Sequence, residues 1–178
     1  MPVPTLSLDL GQHLGWVLRR HDGTYTGSTY DFSAAGARIG LKYHYFRAFL
    51  IRTAKEVEGV ASQAPKLGAV IYEKVQFSPK MGGLMAAQSW AGMEAILTGW
   101  CEFREIPYIG VPVGTLKKHF TGNGRASKED MVHTARALGW RPFDDNHADA
   151  IALQDFYEVH HEDRAPRRVV NVGGEIEI

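Results

Sequence analysis

Apolar and polar residues alternate along the first part of the chain with the period of β-strands. Residues 3–9, the segment "GWVLRR" from Gly15 and the segment "TYTGSTYDF" from Thr24 each have this character, and "HDG" at 21–23 is a turn sequence. The pattern predicts three antiparallel strands joined by short connections.

The apolar positions then change to a helical period. Residues 37–60 predict a long amphipathic helix, because their apolar side chains recur every three or four positions; they include Ile39, Tyr43, Phe46, Phe49, Leu50, Val57 and Val60. The short apolar run "KLGAVIYEKV" at 66–75 predicts a buried strand.

A second long helix is predicted from about Gly82 to Phe103. Its apolar residues lie among alanines and glycines rather than charges, so we expect it to be buried on several sides. "IPYIGV" at 106–111 predicts a fifth strand. Helices are predicted at 113–120, 127–140 and 146–161, the second of them with Ser127 as its N-cap and Asp130 completing a capping box.

This order of elements predicts an α/β fold with a mixed five-stranded sheet. Three antiparallel strands come first, parallel strands follow, and crossover helices cover both faces. We expect one domain over residues 1–162. For the tail at 163–178 two alternatives stay open, a flexible segment or an added edge strand.

Composition agrees with a single domain that is neither disordered nor embedded in a membrane. The 178 residues are 44% apolar and 22% charged. No apolar run approaches the roughly 18 residues needed to span a bilayer, and no signal peptide is recognisable, so we expect a cytoplasmic protein. The single cysteine, Cys101, lies in an apolar stretch and excludes an internal disulfide and a cysteine-rich zinc site.

The formal net charge is zero, but positive charge is concentrated between Thr115 and Arg141. That segment has six basic and two acidic side chains, and its loop "TGNGR" contains two glycines that allow backbone N–H groups to approach a phosphate. The candidate DNA contacts there are Lys117, Lys118, Arg125 and Lys128. The alternative is a solvated basic loop.

Acidic residues stand where apolar strands end. Asp9 closes the first predicted strand and Glu73 comes near the end of the strand at 66–75. If the two strands are neighbours, both carboxylates reach the same edge of the sheet, where open α/β sheets place their ligands. At the start of the last helix, Asp145 and Asp149 are four residues apart and can share one helical face.

Carboxylates that converge raise each other's pKa unless a divalent cation neutralises them. Oxygen ligands suit Mg²⁺, with Mn²⁺ as a substitute. Two such ions about 4 Å apart can activate a water and stabilise the leaving oxygen of a phosphodiester. The alternatives are a turn-forming role for Asp9 before Leu10 and Gly11, and a helix-capping role for the acids at 144 and 145.

With these residues in place, the chain resembles the RuvC family of Holliday junction resolvases, in the RNase H-like superfamily, and most of all its phage and prophage branch. The resemblance covers residues 5–160 and depends on four motifs in order: "LSLDLGQHLGW", "VIYEKV", "VPVGTLKKHFTGNGRASKEDMV" and "DDNHADAIAL". A first strand ending in "DLG" is also typical of sugar kinases, but their further glycine-rich segment is not recognisable in this sequence.

The resemblance implies metal-binding carboxylates at Asp9, Glu73 and Asp149, with a fourth ligand from the start of the last helix. Many relatives have Asp or His three residues before the final Asp, where this chain has Asn146. We favour Asp145 as the fourth ligand and keep Asn146 and His147 as auxiliary candidates, the latter as a proton donor.

A second departure follows Glu73. Cellular relatives often carry a base-stacking aromatic three residues further on, where this chain has Gln76, and Phe77 is the nearby candidate for DNA contact. A core or dimer contact is the alternative for Phe77.

The function implied by the resemblance is cleavage of four-way or other branched DNA by a homodimeric endonuclease with two Mg²⁺ ions in each active site. The second predicted long helix is then expected to contribute to the dimer. Two alternatives keep the fold. One is cleavage of R-loops, flaps, forks or structured RNA, and the other is a DNA-binding factor that does not cleave.

Overall fold

The computed structural model describes residues 2–58, 66–75 and 83–161, apart from the side chains of residues 83 and 84. The candidate DNA contact Phe77 and the predicted C-terminal tail lie outside these ranges. Every other candidate site residue lies inside them.

One mixed sheet contains all five predicted strands. They are β1 Thr5–Asp9, β2 His13–Arg19, β3 Tyr25–Asp31, β4 Ala69–Lys74 and β5 Tyr108–Pro112. The spatial order is β3-β2-β1-β4-β5. The first three strands are antiparallel, and β4 lies parallel to both β1 and β5. The predicted sheet is confirmed in strand number, direction and the adjacency of β1 and β4.

The helices also follow the predicted pattern. They are α1 Ile39–Glu58, α2 Gly83–Arg104, α3 Val113–Thr121, α4 Lys128–Ala137 and α5 Asp145–His161. The Ser127 capping box at the start of α4 is confirmed in both hydrogen bonds. A short 3-10 helix, Ser33–Ala35, was not predicted. Of the helices in the described ranges, none is long and apolar enough to cross a membrane.

The two faces of the sheet carry separate hydrophobic cores, because successive side chains of β1 alternate between the faces. Leu6 and Leu8 point to a core shared with α1 and α2. Their neighbours Thr5 and Ser7 point to the opposite face, where both hydroxyls donate to Gln154 Oε1 on α5, at 2.9 and 3.0 Å. Because successive side chains alternate, Asp9 lies on the face covered by α5.

The buried hydrogen bonds of Gln154 fix how α5 lies along the sheet. Its side-chain amide donates to Glu158 Oε1 at 2.8 Å, and Tyr25 of β3 donates to the same oxygen at 2.7 Å. A buried polar group that loses its partner costs free energy, so sliding α5 along the sheet is unfavourable. These bonds therefore help to hold Asp149, which precedes Gln154 on α5, at a defined height above the strands.

Helix α2 differs from the expectation of burial on several sides. One face packs into the core through Trp90, Met93, Leu97 and Cys101. The opposite face is open, and its end residues Met85 and Phe103 expose 69% and 88% of their surface. The small residues Ala91, Ala95 and Gly99 are also exposed on that side of the helix. Burial raises the pKa of the Cys101 thiol to about 12, in keeping with an inert side chain.

Candidate metal and nucleic-acid site

The carboxyl groups of Asp9 and Glu73 meet because of the register between β1 and β4. Leu8 pairs with Tyr72, so Asp9 and Glu73 occupy the next position of the two parallel strands. Ile71 points into the core on the α5 side, and Glu73, two residues on, points to the same face. The Asp9 and Glu73 carboxyl groups are close enough to share a hydrogen bond when one of them is protonated, and this contact lowers the pKa of Glu73.

Helix α5 adds Asp149 to this pair. Burial, and then the negative charge of Asp149, raise the pKa of Glu73 to about 7. Burial, followed by the charges of Glu73, Asp149 and Asp145, raises the pKa of Asp9 well above its usual range. The pKa of Asp149 itself is raised to about 6, mainly by burial. Three carboxyl groups thus converge in a setting that disfavours their charged forms.

One oxygen of the Asp149 carboxyl group is a candidate ligand for a cation. Its Oδ1 is buried and has no hydrogen-bond partner among the described residues. A buried carboxylate oxygen without a partner costs several kcal/mol, so a cation at this point would remove a real penalty. The side chains present, all oxygen donors, therefore fit a hard divalent cation such as Mg²⁺.

The acids are not arranged as a finished coordination shell. In the described parts of the chain, no group of three or more His, Cys, Asp or Glu side chains is disposed to hold an ion directly. The side chains of Asp9 and Glu73 are close enough to share a hydrogen bond, and Asp145 is paired with Lys128. That pairing lowers the pKa of Asp145 and raises that of Lys128.

Asp145 lies close enough for its charge to act on Asp9 and Asp149, although its carboxylate is turned to Lys128. Asn146 is placed differently, since its backbone carbonyl packs against β2. The His147 ring is buried, and its Nδ1 accepts a hydrogen bond from the Phe143 N–H at 3.0 Å. Burial lowers the pKa of His147 to about 4, so the ring is neutral at pH 7 and serves to pack the helix start.

Basic side chains approach the acids from α3 and α4. Lys117 lies near Glu73 and Asp149, where its charge lowers the pKa of both, and its Nζ donates to the Ala126 carbonyl at 2.6 Å. Lys118, Arg125 and Lys128 are exposed in the same segment of the chain. Of the five predicted DNA contacts, the structure brings Lys117 and Lys128 close to the carboxyl groups. Phe77 lies outside the described residues.

The loop between α3 and α4 is held by local hydrogen bonds. Gly122 ends α3 in the left-handed conformation, with φ of 81°. Asn123 then accepts from the Arg125 N–H at 3.0 Å through Oδ1 and from the Ala126 N–H at 3.0 Å through its carbonyl. The loop therefore presents Arg125 and the start of α4 from a fixed backbone.

Two glycines that were not among the predicted site residues allow α5 to approach the sheet. A side chain at Gly15 of β2 would overlap the Asn146 carbonyl, and a Cβ at Gly27 of β3 would lie 2.5 Å from His147 Nε2. Glycine inside a strand commonly marks such a close approach, and that signal was present in the sequence.

Residues Asp144 and Thr29 complete the attachment of α5. Asp144 Oδ1 accepts from the His147 N–H at 2.9 Å, as an N-cap does, and from the Thr29 hydroxyl at 2.5 Å. The predicted alternative role of Asp144 as a capping acid is therefore the observed one. The start of α5 is bound to β3, which fixes Asp149 relative to Asp9.

Comparison with solved structures places this arrangement among known folds. The chain is similar to the structure of Thermus thermophilus RuvC, with a TM-score of 0.62, 20% identity and coverage of 87% of this chain and 95% of that one. It is also similar to T. thermophilus RuvC in complex with Holliday junction substrate, with a TM-score of 0.65, 16% identity and coverage of 90% and 97%. The yeast mitochondrial Holliday junction resolvase gives a TM-score of 0.53 at 12% identity, with coverage of 85% and 75%.

No protein-family model and no curated protein sequence matches the chain. At these low identities the TM-scores establish the fold alone, and the predicted RNase H-like α/β fold is confirmed. Its particular form is the one shared with RuvC-type resolvases. The expected place in the phage and prophage branch, the ligand set and the dimer stay predictions.

Proposed function

We propose that the chain is a metal-dependent endonuclease that cleaves phosphodiester bonds in four-way DNA junctions, using Asp9, Glu73, Asp145 and Asp149 as metal ligands. The observation that carries the proposal is the buried, unpartnered Asp149 Oδ1 beside the Asp9–Glu73 pair, at the carboxyl edge of parallel strands. The shared fold with junction resolvases supports the substrate.

Two Mg²⁺ or Mn²⁺ ions bound by these carboxylates would supply Lewis acid chemistry, by neutralising the phosphate and making a coordinated water acidic. The chain's own contribution is placement. Asp9 and Glu73 are held on rigid strands, and Asp149 on a helix whose start is attached to β3. Such fixed geometry is what a positioned nucleophile and leaving group require.

The basic segment orients the DNA. Lys118, Arg125 and the N-terminus of α4 offer positive charge and N–H donors to a phosphate backbone, and they do so independently of sequence. Lys128 connects the acidic residues with the exposed basic segment, since it pairs with Asp145 and is itself exposed to solvent. We therefore assign Lys128 to the scissile phosphate region and Lys118 and Arg125 to flanking phosphates.

A homodimer belongs to the same proposal. The open face of α2 has small residues at its middle and the exposed Met85 and Phe103 at its ends. A two-fold pairing through this face would give two active sites for the two strands that are cut in a symmetric junction.

The test compares cleavage of a synthetic four-way junction and a linear duplex of the same sequence, in Mg²⁺, Mn²⁺ and EDTA. Junction cleavage should require the metal, and Asp9→Asn or Asp149→Asn should reduce it by at least about 10²-fold while binding in EDTA persists. Asp22→Asn, in the exposed turn between β2 and β3, is the matched control and should cleave like the wild type.

Full activity in both Asn variants would refute the assignment of the site. Preferential cleavage of an R-loop, flap, fork or structured RNA would keep the chemistry and change the substrate. Junction binding in Mg²⁺ without any nicking by stoichiometric protein would instead favour a DNA-binding factor that does not cleave.

A further inference from the structure

A pair of histidines joins α3 to the C-terminal end of α5. His160 Nε2 lies 3.3 Å from His119 Nδ1, and the other nitrogen of the His119 ring, Nε2, lies 2.8 Å from Asp155 Oδ2. Asp155 is buried and His160 is exposed, so the contacts run from a buried carboxylate to an imidazole at the surface. At roughly 1.5 Å per residue, His160 is about 16 Å along α5 from Asp149. The cluster is therefore separate from the proposed nuclease site.

The Asp155 carboxylate decides which nitrogen of His119 is available as a metal ligand. A carboxylate only accepts hydrogen bonds, so His119 Nε2 must carry the hydrogen of that bond. In the neutral ring, Nδ1 then keeps its lone pair and accepts the hydrogen bond that His160 Nε2 donates. A carboxylate behind an imidazole is the arrangement that orients histidine ligands of metal ions and raises their basicity.

The separation of the two imidazole nitrogens fits a single tetrahedral ion. Zn²⁺ binds histidine nitrogen at about 2.0–2.1 Å, so two ligands at the tetrahedral angle lie about 3.3–3.4 Å apart and their ring centroids about 5.2 Å apart. The observed values are 3.3 Å between the nitrogens and 5.0 Å between the centroids. Both rings also pack against Phe156, at centroid distances of 5.2 and 4.4 Å, which limits their rotation. An ion could therefore replace the hydrogen bond between the rings with small side-chain movements.

We propose that His119 Nδ1 and His160 Nε2 bind a divalent transition metal ion, Zn²⁺ in the first place, with Asp155 as a positioning residue. Imidazole suits Zn²⁺ whereas Mg²⁺ prefers oxygen, so this ion differs from the one expected at the carboxyl groups. On binding, His160 gives up its Nε2 hydrogen to solvent and takes one up on Nδ1, so both rings stay neutral. The inference does not rest on the proposed nuclease function.

The proposed zinc site is an open one. No group of three or more His, Cys, Asp or Glu side chains among the described residues is disposed to hold an ion, so water completes the coordination of the two histidines. Such an ion should exchange readily. While bound, it would strengthen the contact between the end of α3 and the end of α5.

The test titrates the protein with Co²⁺, a coloured substitute for Zn²⁺, in an excess of Mg²⁺. One Co²⁺ per chain should bind with the strong visible absorption of a tetrahedral ion, which octahedral Co²⁺ on oxygen ligands lacks, and Zn²⁺ should displace it. His119→Ala and His160→Ala should each lose this absorption, and Asp155→Asn should bind about 10-fold to 100-fold more weakly. His44→Ala, an exposed histidine of α1, is the matched control and should bind as the wild type.

Thermal unfolding gives a second measurement, because an ion bound only by the folded chain stabilises it. In the Asp9→Asn variant, which removes a proposed ligand of the nuclease site, Zn²⁺ should still raise the unfolding temperature. Adding His160→Ala to that variant should abolish the rise. His160→Ala alone should keep the Mg²⁺-dependent cleavage of the wild type.

Tetrahedral Co²⁺ absorption that persists in His119→Ala or His160→Ala, or that the folded wild type lacks, would overturn the inference. A stoichiometry of one ion per two chains would also overturn it, since the ion would then lie between molecules. A wild type that binds Co²⁺ through both histidines but never cleaves DNA in Mg²⁺ contradicts only the nuclease proposal.

Discussion

At the scale of single residues, the Glu73 carboxyl group is the most informative, because its pKa of about 7 lies in the range where assays are made. Burial and the charge of Asp149 make its ionised form unfavourable in the folded chain. A carboxyl group whose pKa is raised on folding stabilises the protein most below its ordinary pKa. That contribution is lost as the pH rises through the raised value.

We expect Glu73→Gln to stabilise the metal-free protein increasingly as the pH rises from 5 to 8. The variant removes the carboxylate whose ionisation opposes folding, while its amide can still hydrogen-bond to Asp9. His147 has the opposite effect, since its lowered pKa causes a loss of stability as the pH falls from 6.5 towards 4. Because both proteins contain His147, its contribution cancels when the stability of the wild type is subtracted from that of the variant. Thermal unfolding in EDTA across this pH range measures it, and at pH 8 the gain should be about 2–4 °C.

Addition of Mg²⁺ should reverse the order of thermal stability of the wild type and Glu73→Gln at pH 8. Metal competes with protons for the carboxylates, so the wild type should gain thermal stability from Mg²⁺ at pH 8 and much less at pH 5.5. Glu73→Gln should gain little at either pH. The exposed Glu129→Gln variant serves as the control and should follow the wild type. An equal Mg²⁺ response in Glu73→Gln and wild type would remove Glu73 from the ligand set.

At the scale of elements, the close approach of α5 to the sheet decides whether the carboxyl groups meet. We expect Gly15→Ala to push the start of α5 outward, since the new Cβ would overlap the Asn146 carbonyl. Overpacking of this kind costs about 1–3 kcal/mol. The Mg²⁺-dependent gain in thermal stability should also fall, because Asp149 moves with the helix. Chemical denaturation and thermal unfolding with and without Mg²⁺ give the two values.

The control for this prediction is Gly40→Ala in α1. A Cβ there meets no atom within 4 Å, so the variant should be neutral or slightly more stable and keep its Mg²⁺ response. A Gly15→Ala protein that is as stable and as responsive as Gly40→Ala would show that the close approach does not position Asp149.

Sequence patterns predicted the elements well because their causes are local. The alternation in β1 and β4 placed Asp9 and Glu73 at strand ends, and the structure brings these strands side by side. The contacts that complete the site join residues far apart in the chain, such as Thr29 with Asp144 and Lys128 with Asp145. The hydrophobic periodicity of a short segment gives no information about such pairs. The prediction that α2 is buried on several sides was wrong, because Ala and Gly occur both on buried helix faces and on exposed ones.

At the scale of the whole molecule, the open face of α2 has a geometry that suits two-fold pairing. Met85 and Phe103 are about 27 Å apart along the helix, at roughly 1.5 Å per residue. In an antiparallel pair of α2 helices, Phe103 of one copy would therefore meet Met85 of the other. The exposed Ala95 lies near the midpoint, where the two helices would approach most closely.

We expect Ala95→Glu to convert a dimer into a monomer, because two carboxylates would face each other across the two-fold axis in a contact that excludes water. Sedimentation velocity at micromolar concentration measures this change. Ala34→Glu, at an exposed position outside α2, is the matched control and should remain dimeric. A monomeric wild type, or a dimeric Ala95→Glu, would contradict pairing through this face.

The Ala95→Glu variant also separates cleavage at one active site from paired cleavage of both strands of the junction. Each α2 lies behind the sheet from the carboxyl groups on the α5 side, so the Ala95→Glu monomer should keep its Mg²⁺-dependent gain in thermal stability. It should nick one strand of a junction held in a supercoiled cruciform, and the nicked circle should accumulate because no second site is bound to cut the opposite strand. The wild-type dimer should give linear product within one binding event. Linear product from the monomer at the wild-type rate would show that paired cleavage does not depend on this interface.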